Sequence, residues 1–464
     1  MILSDHPPNL NVVIRETGLI VSQSSLSFFH LLMKWSIYNE IIQSNNKEYL
    51  ILFNLLKEKY FALNVELKDL VSQTAHNIAT IENIHPELYK QLVLEGFIVP
   101  QEADEVDECI QKLNYKFKSN SELRITINPT LDCNLRCWYC YESRIKGSCM
   151  TSDTINAIIA YVEKQCQSSE IEKILLSFFG GEPLLKYNKV IKPLVYRCYN
   201  LCISYNKVFA LHFTTNGVCL TSTVVDELLS MGINFSIQVA FDGNKNMHDA
   251  VKRFSNGIGC YDIVRKHLNY AIERGVRTTI RCNYTKTNIE SFIDLINDFK
   301  SYWHQPNIRF SFHKVWQEPE SEELFHKREK MKNFIEEIGV VSNINSFYGN
   351  SLVPCYADFD NNVVFNYNGE VFKCTARDFS PEHRLGYLDI DGTITYLKRS
   401  TSRIEEKLTK QCKACRLLPI CTICFQQRKE SSDGTCPTPA LFENASTNIK
   451  KYFQDTIKLQ RQST

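Results

Sequence analysis

From position 123 to about 316, short apolar runs alternate with longer stretches in which apolar residues recur at helical spacing. The runs at 123–127, 174–179, 209–214, 235–241, 278–283 and 308–312 read as strands. The stretches at 154–166, 191–204, 224–231, 261–274 and 289–299 read as helices between them. Strands that alternate with helices pack as parallel βαβ units, and six of them build an α/β partial barrel of the (β/α)6, TIM type. Ligands of such folds lie at the carboxyl ends of the strands.

The flanks differ. Residues 49–54 and 60–63 read as strands around a Lys57-Glu58-Lys59 turn, 65–74 and 86–94 as amphipathic helices, and 96–100 as a further strand. This suits an α+β, winged-helix-like module over 1–120, closed by an acidic boundary stretch at 102–108. Beyond Phe325 the alternation stops, and turn signals (Asn368-Gly369, Asp391-Gly392, Asp433-Gly434) and cysteines take over. The expected domains are therefore 1–120, 121–325 and 326–464, the last organised by metal rather than by a large core.

Charge and termini exclude more than they assign. The net charge of +1 gives no global attraction to nucleic acid or to a membrane surface. No run approaches the roughly 18 uninterrupted apolar residues of a spanning helix, and residues 1–12 do not read as a secretory signal. A cytoplasmic location is the expectation. Eighteen cysteines in a reducing compartment point to metal or redox chemistry where they cluster. Eight are scattered (Cys109, Cys149, Cys166, Cys198, Cys202, Cys219, Cys260 and Cys282) and read as small core side chains.

The first cluster is Cys133-Asn134-Leu135-Arg136-Cys137-Trp138-Tyr139-Cys140, placed directly after the first barrel strand. Three thiolates on a four-iron cluster leave one iron open to a small molecule, much as a catalytic zinc keeps a free position. Structural zinc would want a fourth nitrogen or sulfur ligand, and none is evident in this loop.

This CxxxCxxC loop resembles that of the radical S-adenosylmethionine (radical SAM) superfamily. The resemblance implies a 4Fe–4S cluster on Cys133, Cys137 and Cys140, whose open iron chelates S-adenosylmethionine and whose electron cleaves it to a 5′-deoxyadenosyl radical. Gly180-Gly181-Glu182-Pro183, at the end of the second strand, matches the motif that grips the methionine amino group. Glycines admit close backbone approach and a carboxylate complements an ammonium. Thr215 and Asn216, Asp242, and Arg281 with Asn283 follow at the third, fourth and fifth strand ends, where the family contacts ribose, carboxylate and adenine. Tyr139 stands where its ring neighbours the adenine. Ala240 departs from the Ser or Thr often found two residues before this aspartate.

Read alone, Cys412-x2-Cys415 and Cys421-x2-Cys424 suit a zinc knuckle, which leaves Cys355, Cys374 and Cys436 without a role. The order resembles instead the SPASM extension, which binds two auxiliary 4Fe–4S clusters. That implies one cluster on Cys412, Cys415, Cys421 and Cys436, and another on Cys355, Cys374 and Cys424 without a fourth cysteine. The fold class expected overall is thus α/β, with a cysteine-rich Fe–S domain at the carboxyl end.

SPASM enzymes mostly modify peptides or proteins. An added N-terminal module suits capture of a leader segment by strand addition to a sheet edge. The expected function is maturation of a ribosomally made peptide, with flavodoxin or ferredoxin as electron donor. Met33-Lys34-Trp35-Ser36 resembles the start of such maturases, so the residues before Met33 read as a dispensable extension or a misassigned start. An anaerobic sulfatase-maturating enzyme (anSME) is the alternative. That family lacks a large N-terminal domain and carries an aspartate base after the cysteine equivalent to Cys374, where this chain has Thr375, with Asp378 nearby. From another class, a non-catalytic Fe–S or zinc protein would only bind peptide. No catalytic acid or base is assigned.

Overall fold

The computed structural model describes residues 32–43, 49–118, 121–343, 354–397, 408–431, 435–436 and 445–462. The expected N-terminal extension and the Asp433-Gly434 turn fall almost wholly outside these residues. The chain divides into two units, one formed by positions up to 35 with 70–103, the other by 36–69 with 104 onward.

The elements before the barrel are β1 (Met33–Trp35), β2 (Asn39–Gln43), β3 (Tyr49–Asn54), β4 (Lys59–Asn64), α1 (Lys68–Thr74), α2 (Ile78–Ile84), α3 (Pro86–Leu94), β5 (Ile98–Pro100) and α4 (Glu105–Lys118). In the first unit β1 pairs antiparallel with β5, Met33 opposite Pro100. Asn77 caps α2 by accepting the Ala79 N–H. Helix α3 starts on Pro86, and His85 accepts the Leu88 N–H.

The expected hairpin belongs to the second unit, where β2, β3 and β4 form an antiparallel meander. Strand β2 was not legible in the sequence. Its apolar pair Ile41-Ile42 is too short a signal, and register with β3 (Ile42 opposite Ile51) makes it a strand. The acidic stretch is not a linker. It begins α4, where Glu105, Asp107 and Glu108 sit favourably at the positive helix end. Cys109, Ile110, Leu113 and Phe117 on one face of that helix are buried.

The six expected barrel strands are β6 (Glu122–Ile127), β7 (Lys173–Phe178), β8 (Val208–Thr215), β9 (Phe235–Phe241), β10 (Arg277–Tyr284) and β11 (Ile308–Lys314). They pair in sequence order, all parallel. Helices α5 (Ser152–Cys166), α6 (Lys192–Ser204), α7 (Ser222–Ser230), α8 (Lys245–Val251), α9 (Tyr261–Glu273) and α10 (Phe292–Asp298) connect them. Their apolar faces join the strands in one core that includes Ile158, Val162, Leu194, Leu228, Leu268 and Leu295. Helix α11 (Glu322–Ile338) runs past position 325, and its Leu324, Met331 and Ile335 enter the same core. The α/β repeat therefore continues past β11 into α11, closed by Gly339 in the left-handed conformation.

The carboxyl-terminal region then joins the barrel sheet. Strand β12 (Asn362–Phe365) lies parallel to β6, and β13 (Glu370–Phe372), β14 (Gly386–Leu388) and β15 (Ile394–Tyr396) extend it antiparallel. The result is a mixed sheet of ten strands. Six of the eight scattered cysteines are buried as core side chains, while Cys149 and Cys219 are half-buried. Among the described residues no helix is long and apolar enough to cross a membrane.

Candidate active site

Strand β6 is followed by Asn128-Pro129-Thr130 and then, at its carboxyl end, by the three-cysteine loop. Asp132 fixes the loop's start. Its carboxylate accepts the N–H groups of Cys133 (2.9 Å) and Gly147 (2.8 Å) and pairs with Arg144 (3.2 Å). The loop also hydrogen-bonds to the next strand end. Gly181 donates its N–H to Thr130 O (3.1 Å) and Glu182 donates to Asp132 O (2.8 Å). The approach is so close that a Cβ on Gly181 would sit 2.2 Å from the Asp132 carbonyl oxygen, and Gly180 has φ +106°. Both glycines are required by geometry.

Glu182 is fully buried. One carboxylate oxygen accepts Leu184 N–H (3.0 Å) and the Thr215 hydroxyl (2.7 Å), and the other accepts Asn216 N–H (2.7 Å). Burial pushes its carboxyl up to about 7 despite these donors. Its side chain thus braces the ends of β7 and β8, while Gly180, Gly181, Thr215 and Asn216 face the adjoining cavity. Pro183 is buried in the turn that follows. The Asn216 amide donates to Asn134 Oδ1 (2.8 Å) and lies 3.7 Å from the Cys133 sulfur.

On the other side of the loop Tyr139 is clamped. Its hydroxyl donates to Asp242 Oδ1 (2.7 Å) and accepts from Lys252 Nζ (2.7 Å) and Asn283 Nδ2 (3.0 Å). Lys252, 3% exposed, also donates to Asp242 Oδ2 at 2.6 Å. Arg281 donates to Asn283 Oδ1 at 2.9 Å. Sequence reasoning missed Lys252. Only its place ten residues beyond Asp242, after the short α8, could have hinted at it. His248 and Asp249, by contrast, serve the fold. The His248 ring packs in the core 4.9 Å from Phe241, and Asp249 accepts the Tyr261 N–H at the start of α9.

These residues border a cavity of about 520 Å³ at the carboxyl ends of the strands. Tyr139, Cys140, Gly180, Gly181, Arg281 and Asn283 line it, and Ala240 presents a methyl group where a hydroxyl was in question. Glu142 lines it as well. Among the described residues neither of its buried carboxylate oxygens has a hydrogen-bond partner, and burial, then the Asp378 charge, pushes its carboxyl up to about 9. Tyr141 stacks on Trp316 at 5.3 Å beside it. The wall is completed from the carboxyl-terminal region by Tyr356, Thr375 and Ala376. Neither Glu142 nor these aromatics carried a sequence signal.

The seven later cysteines fall into two groups. Cys415 interacts electrostatically with Cys421, Cys412 and Cys436. Cys355 and Cys424 are within hydrogen-bonding reach of each other, and Cys374 senses Cys424. Tyr356 holds the second group's approach to the cavity, with its hydroxyl 2.8 Å from Thr375 Oγ1 and 3.9 Å from the Cys374 sulfur. Among the described residues no three His, Cys, Asp or Glu side chains converge on a point that would hold a single metal ion. A four-iron cluster places each thiolate on its own iron, so it does not need three donors to meet at one point. Thiolate donors, an open corner and a closed hydrogen-bonded loop make the Cys133, Cys137 and Cys140 set fit such a cluster.

Residues 127–299 match the model of the radical SAM superfamily, whose members use a 4Fe–4S cluster and S-adenosylmethionine. The chain is 23% identical over 299 residues to the radical SAM cyclopropyl synthase TigE of Paramaledivibacter caminithermalis, covering 59% of this chain and 58% of that one. It spans only 54–58% of the length of the first relatives it matches. In fold it is similar to anSMEcpe with bound S-adenosylmethionine (TM-score 0.54, 16% identity, 73% of this chain and 99% of that one). It is also similar to SuiB of Streptococcus suis bound to precursor peptide SuiA (TM-score 0.50, 16% identity, 88% and 99%).

Proposed function

We propose, for a chain that carries a radical SAM domain, that it matures a ribosomally made peptide by hydrogen abstraction from a side chain or Cα. One observation carries this reading. The cavity beside Cys140 is walled on its far side by Tyr356, Thr375 and Ala376, next to the second cysteine group. A substrate segment lying there meets the radical-generating loop and the carboxyl-terminal cysteines together. The likeness to a fold bound to its precursor peptide supports the same reading.

In this reading Cys133, Cys137 and Cys140 hold the cluster, which with S-adenosylmethionine supplies a 5′-deoxyadenosyl radical when bound. Gly180 and Gly181 let backbone approach the methionine group, and Asn216, Arg281 and Asn283 offer polar contacts to the rest of the cofactor. Tyr141, Trp316 and Tyr356 supply apolar walls that keep water from a radical. Glu142 offers the substrate an unpaired carboxyl group able to accept or give a proton. The two groups of carboxyl-terminal cysteines would hold auxiliary clusters, which would supply electron-accepting capacity there, and flavodoxin or ferredoxin would be the external electron donor. Capture of a leader strand by pairing with a sheet edge of the N-terminal region would fit this reading.

The test is anaerobic reduction with S-adenosylmethionine and the peptides encoded beside the gene, scored for 5′-deoxyadenosine and for a mass change in the peptide. No 5′-deoxyadenosine from the iron-loaded protein would defeat the radical reading. The anSME reading is supported by the likeness of the fold and by 23% identity over 379 residues to a cysteine-type anaerobic sulfatase-maturating enzyme of Clostridium novyi, covering 72% of this chain and 95% of that one. Thr375 stands where that reading needs an aspartate, and an aldehyde in the product, trapped by a hydrazine, would favour it.

A further inference from the structure

The buried ion pair of Lys252 and Asp242 needs a physical account. Replacing such a pair by apolar residues is often neutral or stabilising, so stability alone does not explain it. Burial opposes the ammonium, yet Asp242 and Tyr139 hold its charge firmly in place. The pair sits against the cysteine loop, because both partners grip the hydroxyl of Tyr139, which lies between Cys137 and Cys140.

We propose that Lys252 is a positioning residue that, balanced by Asp242, sets how readily the cluster on Cys133, Cys137 and Cys140 accepts its electron. The inference rests on the reading that these three cysteines hold that cluster. The step is a one-electron reduction by an external donor of the flavodoxin or ferredoxin class, with no bond made and no proton moved. Reduction adds negative charge beside three thiolates, and the ammonium of Lys252, buried next to them, is screened less than a surface charge would be. Lys252 favours the reduced form and Asp242 opposes it. The pair is neutral in sum, so removing either partner leaves an unbalanced charge of opposite sign.

The experiment uses the full-length, iron-loaded protein and its Lys252→Met, Lys252→Arg, Asp242→Asn and Asp242→Asn/Lys252→Met variants. The midpoint potential is followed on the electron-paramagnetic signal that changes when S-adenosylmethionine is added, which marks the cluster with the open iron. Lys252→Met should lower the potential and Asp242→Asn should raise it, each by at least tenfold in the reduction equilibrium, about 59 mV for one electron. The double variant and Lys252→Arg should stay near wild type. A bracing role alone would shift both single variants the same way or not at all, and either result overturns the inference. If Lys252→Met does not fold, an unshifted Asp242→Asn protein with full iron content is sufficient to overturn it. If wild type shows no signal responsive to S-adenosylmethionine, the cluster assignment itself falls, and the inference falls with it.

Discussion

Substituting Gly181 by alanine tests whether the closeness of the two strand ends matters to the cysteine loop. The added Cβ would lie 2.2 Å from Asp132 O, 2.6 Å from Asp132 C and 2.8 Å from Leu131 C, whereas Cβ contacts essentially never fall below 3.0 Å. All three are backbone atoms, so no side chain can swing aside. The Asp132 carbonyl must retreat by about 1 Å, which breaks the 2.8 Å hydrogen bond it accepts from Glu182. An unpaired buried donor costs about 1–3 kcal/mol and overpacking about 1–3 kcal/mol more. The local cost is therefore about 2–6 kcal/mol, delivered one residue before Cys133. A displacement of about 1 Å at reacting groups can lower a rate by about 10²-fold. The expected variant folds, as judged by circular dichroism, but loses iron on reconstitution and makes at least tenfold less 5′-deoxyadenosine. Gly257→Ala serves as control, since nothing lies within 4 Å of its added carbon. A Gly181→Ala protein with wild-type iron and wild-type 5′-deoxyadenosine would refute the reasoning.

Glu142→Gln should gain thermal stability relative to wild type as pH rises from 5 to 9. The folded carboxyl, raised to about 9, keeps its proton after the unfolded chain has released it, so wild-type stability is full at low pH and declines across that window. Melting curves at pH 5, 7 and 9 with a constant offset between the two proteins would count against an unpaired carboxyl there. Glu182→Ala strands three donors, on Leu184, Thr215 and Asn216, and should cost about 3 kcal/mol or more. Glu182→Gln should recover only part of the loss in the same thermal melts, because its amide oxygen can still accept from Leu184 and Thr215 while its NH2 group faces the Asn216 N–H. Cys421→Ala should lower the iron content by about four atoms per chain without adding zinc, measured by elemental analysis after anaerobic reconstitution. Bound zinc with unchanged iron would restore the knuckle reading.

Much of the barrel was written locally. A parallel strand buried on both faces is a short apolar run whatever its neighbours, so β6 to β11 could be read from residues 123 to 312. The cysteine loop was equally plain, because three thiols at fixed spacing after a strand have few other uses. Gly180 and Gly181 announced a close approach, and the structure supplies its partner, the backbone of Leu131 and Asp132.

Other features exist only between distant segments. Strand β12 pairs with β6 across more than two hundred positions, and its Asn362-Val363-Val364-Phe365 gives no sign of where it will add. The acidic start of α4 looked like a linker because charge in a first turn and charge in a loop are alike without the helix dipole. Helix α11 hid behind a charged sequence whose few apolar positions suffice once the barrel core receives them. Lys252 and Glu142 are ordinary charged residues by composition. One became a clamp because α8 returns it beneath Tyr139, and the other became an unpaired acid because folding removed water and supplied no donor. Sequence determined the barrel strands and the spacing of the cysteine loop, since both depend on neighbours along the chain. Which charges are paired, which are left bare, and which wall faces the cysteine loop were decided by the tertiary structure, because those properties depend on contacts made only when the chain closes on itself.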